Sequence, residues 1–227
     1  MFLIIGKTKY LSIAQFGVIF RLDSPLTSTR RIMENVRMFF QFLHKFIPLS
    51  EEEFNNMIRP HLNVRHFKKK EVILKAGEVE DCMNFVTKGL VRKYYKKDRE
   101  EINTQISTEG HIIHAQESFH SRTPSEYFVE AIEPSTLVSV SYDGLEQVYA
   151  QGAKMERLGR LVITFSMVIK DRWQMNMIKL TPRERFLDFV HKNPELLQRV
   201  PQKFLASYLN IQPETFSRFK HLLKEKK

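Results

Sequence analysis

The sequence predicts an α+β protein in which N-terminal helices and a β-roll precede a long central helix and a C-terminal helix-turn-helix domain. Three patterns carry this prediction. Short runs rich in β-branched and aromatic residues recur about every ten residues between Val64 and Ser141. Apolar residues then recur at three- and four-residue spacing from Tyr142 to Leu180. Finally, two short amphipathic helices separated by a turn occupy Pro201 to Leu223.

The composition is that of a globular protein with a polyanionic partner. Of the 227 residues, 42% are hydrophobic, and 36 Lys and Arg outnumber 26 Asp and Glu, giving a net charge of +10. Residues 179–227 hold 11 of the basic residues and only five acidic ones. Such a balance favours nucleic acid, or less often an anionic membrane surface, as the partner.

The chain has a single cysteine, Cys82, which limits the disulfides and metal clusters that it can form. One cysteine forms no intrachain disulfide and cannot hold an iron–sulfur cluster within one chain. A reducing, cytoplasmic compartment fits this count. No apolar run reaches the length of about 18 residues that a membrane-spanning helix needs, so we expect no membrane partner.

Four parts are expected along the chain. They are a poorly ordered extension (1–32), a β-roll sensor domain (33–150), a central dimerisation helix (151–180) and a helix-turn-helix domain (181–227). Within the second part, Met33 to Arg59 is predicted to be helical. Ser50 and Glu53 have the capping-box spacing that starts a helix.

The central helix is expected to pair with a second copy of itself. A helix of almost 30 residues, about 45 Å long, needs an apolar partner along its length, and a homodimer supplies one. The residues predicted at this dimer interface are Leu158, Leu161, Val162, Phe165, Val168 and Ile169.

The C-terminal motif has local signals for each of its elements. Asn210 tolerates the left-handed conformation that ends a helix, and Ile211 is expected to be buried. Gln212 and Pro213 then form a start signal for the second helix. That helix turns short polar and basic side chains outward, and these are the types that read base edges. Because similar helix pairs occur in proteins that never contact DNA, the motif alone leaves both possibilities open.

Three histidines and a carboxylate lie within ten residues, at His111, His114, Glu117 and His120. They could ligate a first-row metal, as in a cupin enzyme, which also combines a β-barrel with His and Glu ligands. Cupins, however, need a closer His-x-His pair on one strand. We therefore interpret these residues as the polar lining of a pocket loop and predict no metal, no cofactor and no enzymatic activity.

The order of these elements resembles the CRP/FNR family of bacterial transcription regulators. The resemblance covers Met33 to Lys227. It is carried by the segment 67–74 followed by Gly77-Glu78, by the hairpin segment 85–92 around Gly89, and by the segments 117–119, 124–125 and 129–131. The segment 193–203 is similar to the branch of the family found in Bacteroidetes.

The resemblance implies a homodimer that binds a palindromic operator in double-stranded DNA, responds to a small-molecule effector and contacts RNA polymerase. Glu214, Ser217 and Arg218 occupy the family's base-contacting positions. The residues expected to contact DNA are Lys203, Gln212, Glu214, Thr215, Ser217, Arg218, Lys220 and Lys224. The winged-helix-like domain of the family has a β-hairpin before the motif, which is shortened here to residues 194–200.

The chain departs from the family's cyclic-AMP-binding members where the phosphate is held. Their Arg-Ser/Thr-Ala tripeptide corresponds to Ser125-Glu126-Tyr127, so the phosphate-pairing Arg is a Ser. Losing that charge-assisted pair disfavours a phosphate ligand, and we predict that cyclic AMP does not bind. The residues expected to line the effector pocket are His114, Glu117, Ser118, Phe119, Arg122, Ser125, Tyr127 and Val129.

Two other functions remain open at this point. One is a metal-dependent cupin-like enzyme, which would leave the helix-turn-helix unexplained. The other is a ligand-binding dimer that uses its C-terminal helices only for protein contacts.

Overall fold

The computed structural model describes residues 28–222. The strands in this part are β1 (Leu62–Phe67), β2 (Val72–Leu74), β3 (Cys82–Lys88), β4 (Val91–Lys97), β5 (Glu100–Ser107), β6 (Ile112–Ile113), β7 (Phe128–Ala131) and β8 (Ser135–Ser141). The α-helices are α1 (Ser28–His44), α2 (Glu51–Glu53), α3 (Gln116–Ser121), α4 (Tyr142–Tyr149), α5 (Ala153–Lys179), α6 (Pro182–Lys192), α7 (Leu196–Arg199), α8 (Gln202–Tyr208) and α9 (Pro213–Leu222).

The N-terminal helix begins earlier than the sequence suggested. Helix α1 starts at Ser28, so residues 28–32, expected to belong to the extension, are helical. The rest of that extension lies outside the described residues. The capping box at Ser50 is confirmed: its side chain accepts from the Glu53 N–H, and the Glu53 carboxylate accepts from the Ser50 N–H. Helix α2 continues as a π-helical turn (Phe54–Ile58) and a 3-10 turn (Arg59–His61).

The β-roll consists of two four-stranded antiparallel sheets, with strand orders β1-β8-β3-β6 and β2-β7-β4-β5. The seven strands expected from the sequence are present, which confirms the roll. Strand β6 and helix α3 were not anticipated. Strand β6 has two residues, too few to show an alternating pattern. Helix α3 has only six residues, in a loop rich in Ser and His, and is too short to show a helical period.

The central helical region is divided between α4 and α5, with a break at residues 150–152. Helix α5 is 27 residues long. Its N-terminal half is covered by α1, because Leu158 and Val162 are buried in one cluster with Phe39 and Phe42. This half of the helix therefore has its apolar partner within the same chain.

The described part of the C-terminal domain, residues 181–222, consists of helices joined by short turns and contains no strand. Helix α6 begins with a capping box formed by Thr181 and Glu184, with Pro182 at its first position. Where a shortened hairpin was expected, the chain instead forms the one-turn helix α7. Phe186 and Phe216 are both almost fully buried and meet edge to face at 5.1 Å, which fixes α9 against α6.

Candidate functional site

The turn between α8 and α9 has the geometry that the sequence predicted. Asn210 has a φ of 50°. The Ile211 N–H donates to the Ala206 carbonyl at 2.9 Å, and the Asn210 N–H donates to the Ser207 carbonyl at 3.0 Å. These two bonds form the Schellman motif, in which a left-handed residue satisfies the last carbonyls of a helix. Ile211 is buried beneath the turn, as expected.

Helix α9 presents a polar face whose side chains are accessible. Glu214 and Arg218 are exposed, and Thr215, Ser217 and Lys220 are half-buried. Arg218 donates from Nη2 to the Thr215 hydroxyl at 3.2 Å, which holds the guanidinium along the first turns of the helix. Free guanidinium donors at this position suit the bidentate recognition of guanine.

The remaining residues expected at DNA lie around this helix or outside the described chain. Gln212 is exposed just before α9, and Lys203 is exposed near the start of α8. The Lys203 ammonium lies 5.1 Å from the centre of the Phe204 ring. Lys224 lies outside the described residues.

Arg185 clamps the two-helix motif to the central helix, a role that the sequence did not reveal. Its Nε donates to the Leu209 carbonyl at 2.9 Å, and Nη2 donates to the Asn210 carbonyl at 3.0 Å. Nη1 donates to the carbonyls of Met177 and Leu180 at the end of α5. The last carbonyls of a helix carry partial negative charge, so a buried guanidinium is accommodated there. The only local signal was an Arg three residues after Pro182 in α6.

A small pocket opens beside α3 in the roll. Its volume is about 150 Å³. It is lined by Glu117, Ser118, Pro124, Ser125, Glu126 and Tyr127. The structure thus brings together four of the predicted effector residues, while Phe119 and Val129 are fully buried in the roll. Two carboxylates on the pocket wall make it unfavourable for an anion.

Arg122, one of the residues expected to line the effector pocket, is engaged elsewhere. Its Nη1 donates to the Glu80 carbonyl at 2.8 Å, and its Nη2 pairs with the Asp81 carboxylate at 2.9 Å. The guanidinium also lies 4.5 Å from the centre of the Tyr142 ring. These contacts would have to break before Arg122 could pair with a ligand in the pocket.

Lys93 and Glu80 are charged residues inside the roll that sequence reasoning missed. The Lys93 ammonium donates to the His114 carbonyl at 3.2 Å and lies 5.2 Å from the centre of the Tyr127 ring. Burial, and then the positive charge of Lys170, lowers the pKa of Lys93 to about 8. The Glu80 carboxylate accepts from the backbone N–H groups of Ala115 and Cys82, and burial raises its pKa.

His114 is held neutral, and one of its ring nitrogens makes no hydrogen bond. Its Nε2 is buried without a hydrogen bond. Burial, and then the charges of Lys93 and His120, lowers the pKa of this imidazole to about 3. Its ring packs edge to face on Phe119 at 5.3 Å. His114 therefore behaves as part of the packed interior of the roll.

The histidine-rich segment does not assemble a metal site in the described residues. No group of three or more His, Cys, Asp or Glu there has metal-binding geometry. His111 instead shares a hydrogen bond with the Thr108 carbonyl at 3.1 Å. The ring centres of His114 and His120 lie 6.0 Å apart, and the two rings meet edge to face.

The predicted dimer face divides into a buried and an exposed part. Leu158 and Val162 are 5% and 6% exposed, and Leu161 packs on the same intrachain cluster. These three residues contact their own chain, and their place at a dimer interface stays a prediction. Phe165, Val168 and Ile169 are 47%, 42% and 42% exposed. They continue the same apolar face towards the C-terminal end of α5, and the Phe165 ring meets Phe46, just after α1, edge to face at 5.4 Å.

No helix among residues 28–222 is both long enough and apolar enough to cross a bilayer.

Comparison with known proteins places this geometry in a recognised fold. Residues 64–152 match the cyclic nucleotide-binding domain family. The structure is similar to FixK2 from Bradyrhizobium japonicum, with a TM-score of 0.61, 18% identity, and coverage of 73% of this chain and 85% of that one. No curated protein matches the sequence.

Two further solved structures share the fold. The c-di-GMP responsive global regulator CLP of Xanthomonas campestris has a TM-score of 0.60 and 14% identity, over 78% of this chain and 93% of that one. CooA from Carboxydothermus hydrogenoformans has a TM-score of 0.58 and 15% identity, over 78% and 82% of the two chains. Residues 64–152 thus form a cyclic nucleotide-binding-like domain, and the part of the chain that these structures cover has a CRP/FNR-like fold.

Proposed function

We propose that this chain is a homodimeric, sequence-specific DNA-binding transcription regulator of the cytoplasm. The observation that carries the proposal is the polar face of α9, where Glu214, Ser217 and Arg218 are accessible on a helix held by the Schellman turn and the Arg185 clamp. Residues of this kind at the start of a recognition helix read base edges in the major groove. The excess of basic residues after Lys179 supplies the attraction to phosphate.

The dimer is proposed to form along the second half of α5. Phe165, Val168 and Ile169 present a contiguous apolar strip that nothing in the described chain covers fully. An isologous contact between two such helices would bury it. It would also place two α9 helices for the two halves of a palindromic operator. RNA polymerase is the further partner that transcription control requires.

The roll is proposed to sense an effector other than cyclic AMP. The pocket volume of about 150 Å³ is below the roughly 300 Å³ of typical small-molecule sites. Ser125 takes the place of the phosphate-binding Arg, Glu126 lies beside it, and Arg122 is paired with Asp81. A cyclic phosphate would therefore meet negative charge without a compensating guanidinium.

A selection on randomised DNA duplexes tests the proposed function. The wild-type dimer is expected to enrich an inverted repeat with half-sites about one helical turn, roughly 34 Å, apart. A ligand-binding dimer that uses its C-terminal helices for protein contacts would enrich no sequence. A cupin-like enzyme would also enrich none, and would instead bind a divalent metal in calorimetry. Failure of the wild type to enrich any repeat would contradict the proposed function.

A further inference from the structure

Helix α8, the first helix of the DNA-binding motif, lies against the edge of the roll. Strand β5 is the outer strand of the sheet β2-β7-β4-β5. The Ser207 hydroxyl, on α8, donates to the Glu101 carbonyl at 3.1 Å and accepts from the Asn103 N–H at 2.9 Å. An edge strand otherwise leaves such groups unpaired. One α8 side chain thus substitutes for a neighbouring strand at two backbone positions of β5.

A buried arginine on β4 reinforces this contact. The Arg92 guanidinium lies between two rings, 3.9 Å from the centre of Tyr94 and 3.9 Å from the centre of Phe204 on α8. Its charge is balanced within the roll by Glu101 at 2.7 Å and Glu130 at 3.1 Å. A desolvated guanidinium over an aromatic face is among the stronger forms of this interaction. Phe204 therefore gains a specific partner that exists only when α8 is docked.

Ion pairs and apolar contacts extend the same interface. Arg199, just before α8, pairs with Glu109 at 2.8 Å and with Glu133 at 2.5 Å, both on the roll. Burial would raise the pKa of Glu109, but hydrogen bonds led by that from Arg199 lower it to about 2. Leu90 and Ile132 of the roll are buried in one cluster with the helices of the C-terminal domain.

The covalent connection between the central helix and the C-terminal domain is short and extended. Leu180 and Thr181 have ψ angles of 140° and 160°. The Arg185 clamp and the Trp173 ring of α5, stacked on Tyr208 of α8 at 4.2 Å, hold the domain against the end of α5. Contacts with a single helix fix the orientation of a domain less firmly than contacts with two separate elements. The contact of α8 with β4 and β5 is a second, separate attachment, and two attachments define an orientation.

We propose that the docking of α8 on β4 and β5 sets the half-site spacing that the dimer accepts, with Arg92, Phe204 and Ser207 as positioning residues. The inference rests on the proposed DNA-binding function and goes beyond it. The polar face of α9 determines the base preference, whereas the docking contact determines the distance and angle between the two α9 helices of the dimer. Without this contact each domain would be held by α5 alone, and operators with longer or shorter spacers would be accepted.

The test compares wild type with the double variant Ser207→Glu/Arg199→Gln. The introduced carboxylate meets Glu101 at the docking contact, and the ion pairs with Glu109 and Glu133 are lost. Neither substituted side chain belongs to the buried cluster of the C-terminal domain, so this domain is expected to remain folded. The control Gln198→Glu/His191→Glu makes the same change in charge at two exposed positions of the domain.

Each protein is used to select duplexes in which both the half-site sequence and the spacer length are varied, and amide exchange at Asn103 reports the docking directly. Wild type and control are expected to prefer one spacer and to protect the Asn103 amide. The double variant is expected to enrich the same half-site, to lose roughly tenfold in preference between the best and the next spacer, and to exchange the Asn103 amide rapidly.

Two results would overturn the proposal. The first is rapid exchange at Asn103 together with unchanged spacer preference, because the dimer would then set the spacing without docking. The second is an Asn103 amide that stays protected in the double variant, because Ser207 and Arg199 would then not hold the docking. Both differ from a wild type that enriches no repeat, which would contradict the proposed function itself.

Discussion

Arg92 and Lys93 are neighbours on β4, and their side chains lie on opposite faces of the sheet. Arg92 lies against Phe204 of the C-terminal domain, while Lys93 donates to the His114 carbonyl inside the roll. The alternation follows from strand geometry, in which successive side chains point to opposite faces. One strand therefore borders both the interior next to the candidate effector pocket and the contact that holds the C-terminal domain.

Replacing Arg218 and replacing Lys220 should have different effects on DNA binding. Arg218 is exposed on the polar face of α9 and is held near Thr215. Arg218→Ala is expected to weaken binding by about 1–3 kcal/mol per half-site and to relax the preference at one base pair in each half-site. Lys220→Ala is expected to weaken all sequences alike and to reduce the salt dependence by about one phosphate contact. Selection on randomised duplexes measures the base preference, and a salt titration measures the number of phosphate contacts. If Arg218→Ala enriches the same motif as wild type, Arg218 does not read a base.

Phe165→Asp should dissociate the dimer. Phe165 is 47% exposed in the single chain, so the isolated chain tolerates a charge there. Burying an unpaired carboxylate at the interface costs about 3–5 kcal/mol, which weakens association by more than roughly a hundredfold. Met167→Asp is a suitable control, since Met167 is 59% exposed and lies on the opposite side of the helix. Light scattering that finds Phe165→Asp fully dimeric would place the interface elsewhere.

Cyclic AMP at millimolar concentration should neither bind the protein nor change its affinity for the operator. The physical reason is the pocket beside α3, which has carboxylates at Glu117 and Glu126 and lacks a free guanidinium. Calorimetry measures the binding, and a mobility shift measures the effect on DNA. Micromolar binding that Arg122→Ala abolishes would show that Arg122 leaves Asp81 to pair with the phosphate, and would contradict this prediction.

The neutral, buried His114 should make the protein lose stability in mild acid. Its pKa is about 3 in the folded chain, below the 6.5 of a free histidine. Between pH 6.5 and pH 3 the unfolded chain therefore binds a proton at this residue that the folded chain does not bind. The free energy of unfolding falls as the pH drops through this range. The loss due to this group between pH 8 and pH 5 is about 2 kcal/mol.

His114→Phe is expected to remove that part of the pH dependence, because the buried Nε2 has no hydrogen bond to lose and a phenyl ring can keep the packing on Phe119. Urea unfolding at a series of pH values gives the measurement. His191→Gln, at an exposed position, is the control and should retain the wild-type profile. A wild-type profile in His114→Phe would assign the acid loss to other groups.

Much of the fold follows from local patterns that the sequence displays directly. The seven strands are visible as β-branched and aromatic runs, and the helix starts at Glu51 and Pro182 follow from residues that bond to nearby backbone groups. The Asn210 turn is predictable for the same reason, since a Schellman motif depends on only six consecutive residues. The polar face of α9, the candidate DNA-reading face, is also predictable, because the apolar residues of α9 recur with a helical period.

The sequence by itself therefore determined the order of elements and the turn between the last two helices. Only the tertiary structure decided which faces meet: α1 covers Leu158 and Val162, Arg122 is paired with Asp81, and α8 docks on β5 through Ser207. Ser207 and Asn103 are 104 residues apart in the sequence. Contacts at such separations depend on how whole elements pack, and no local period or cap encodes them.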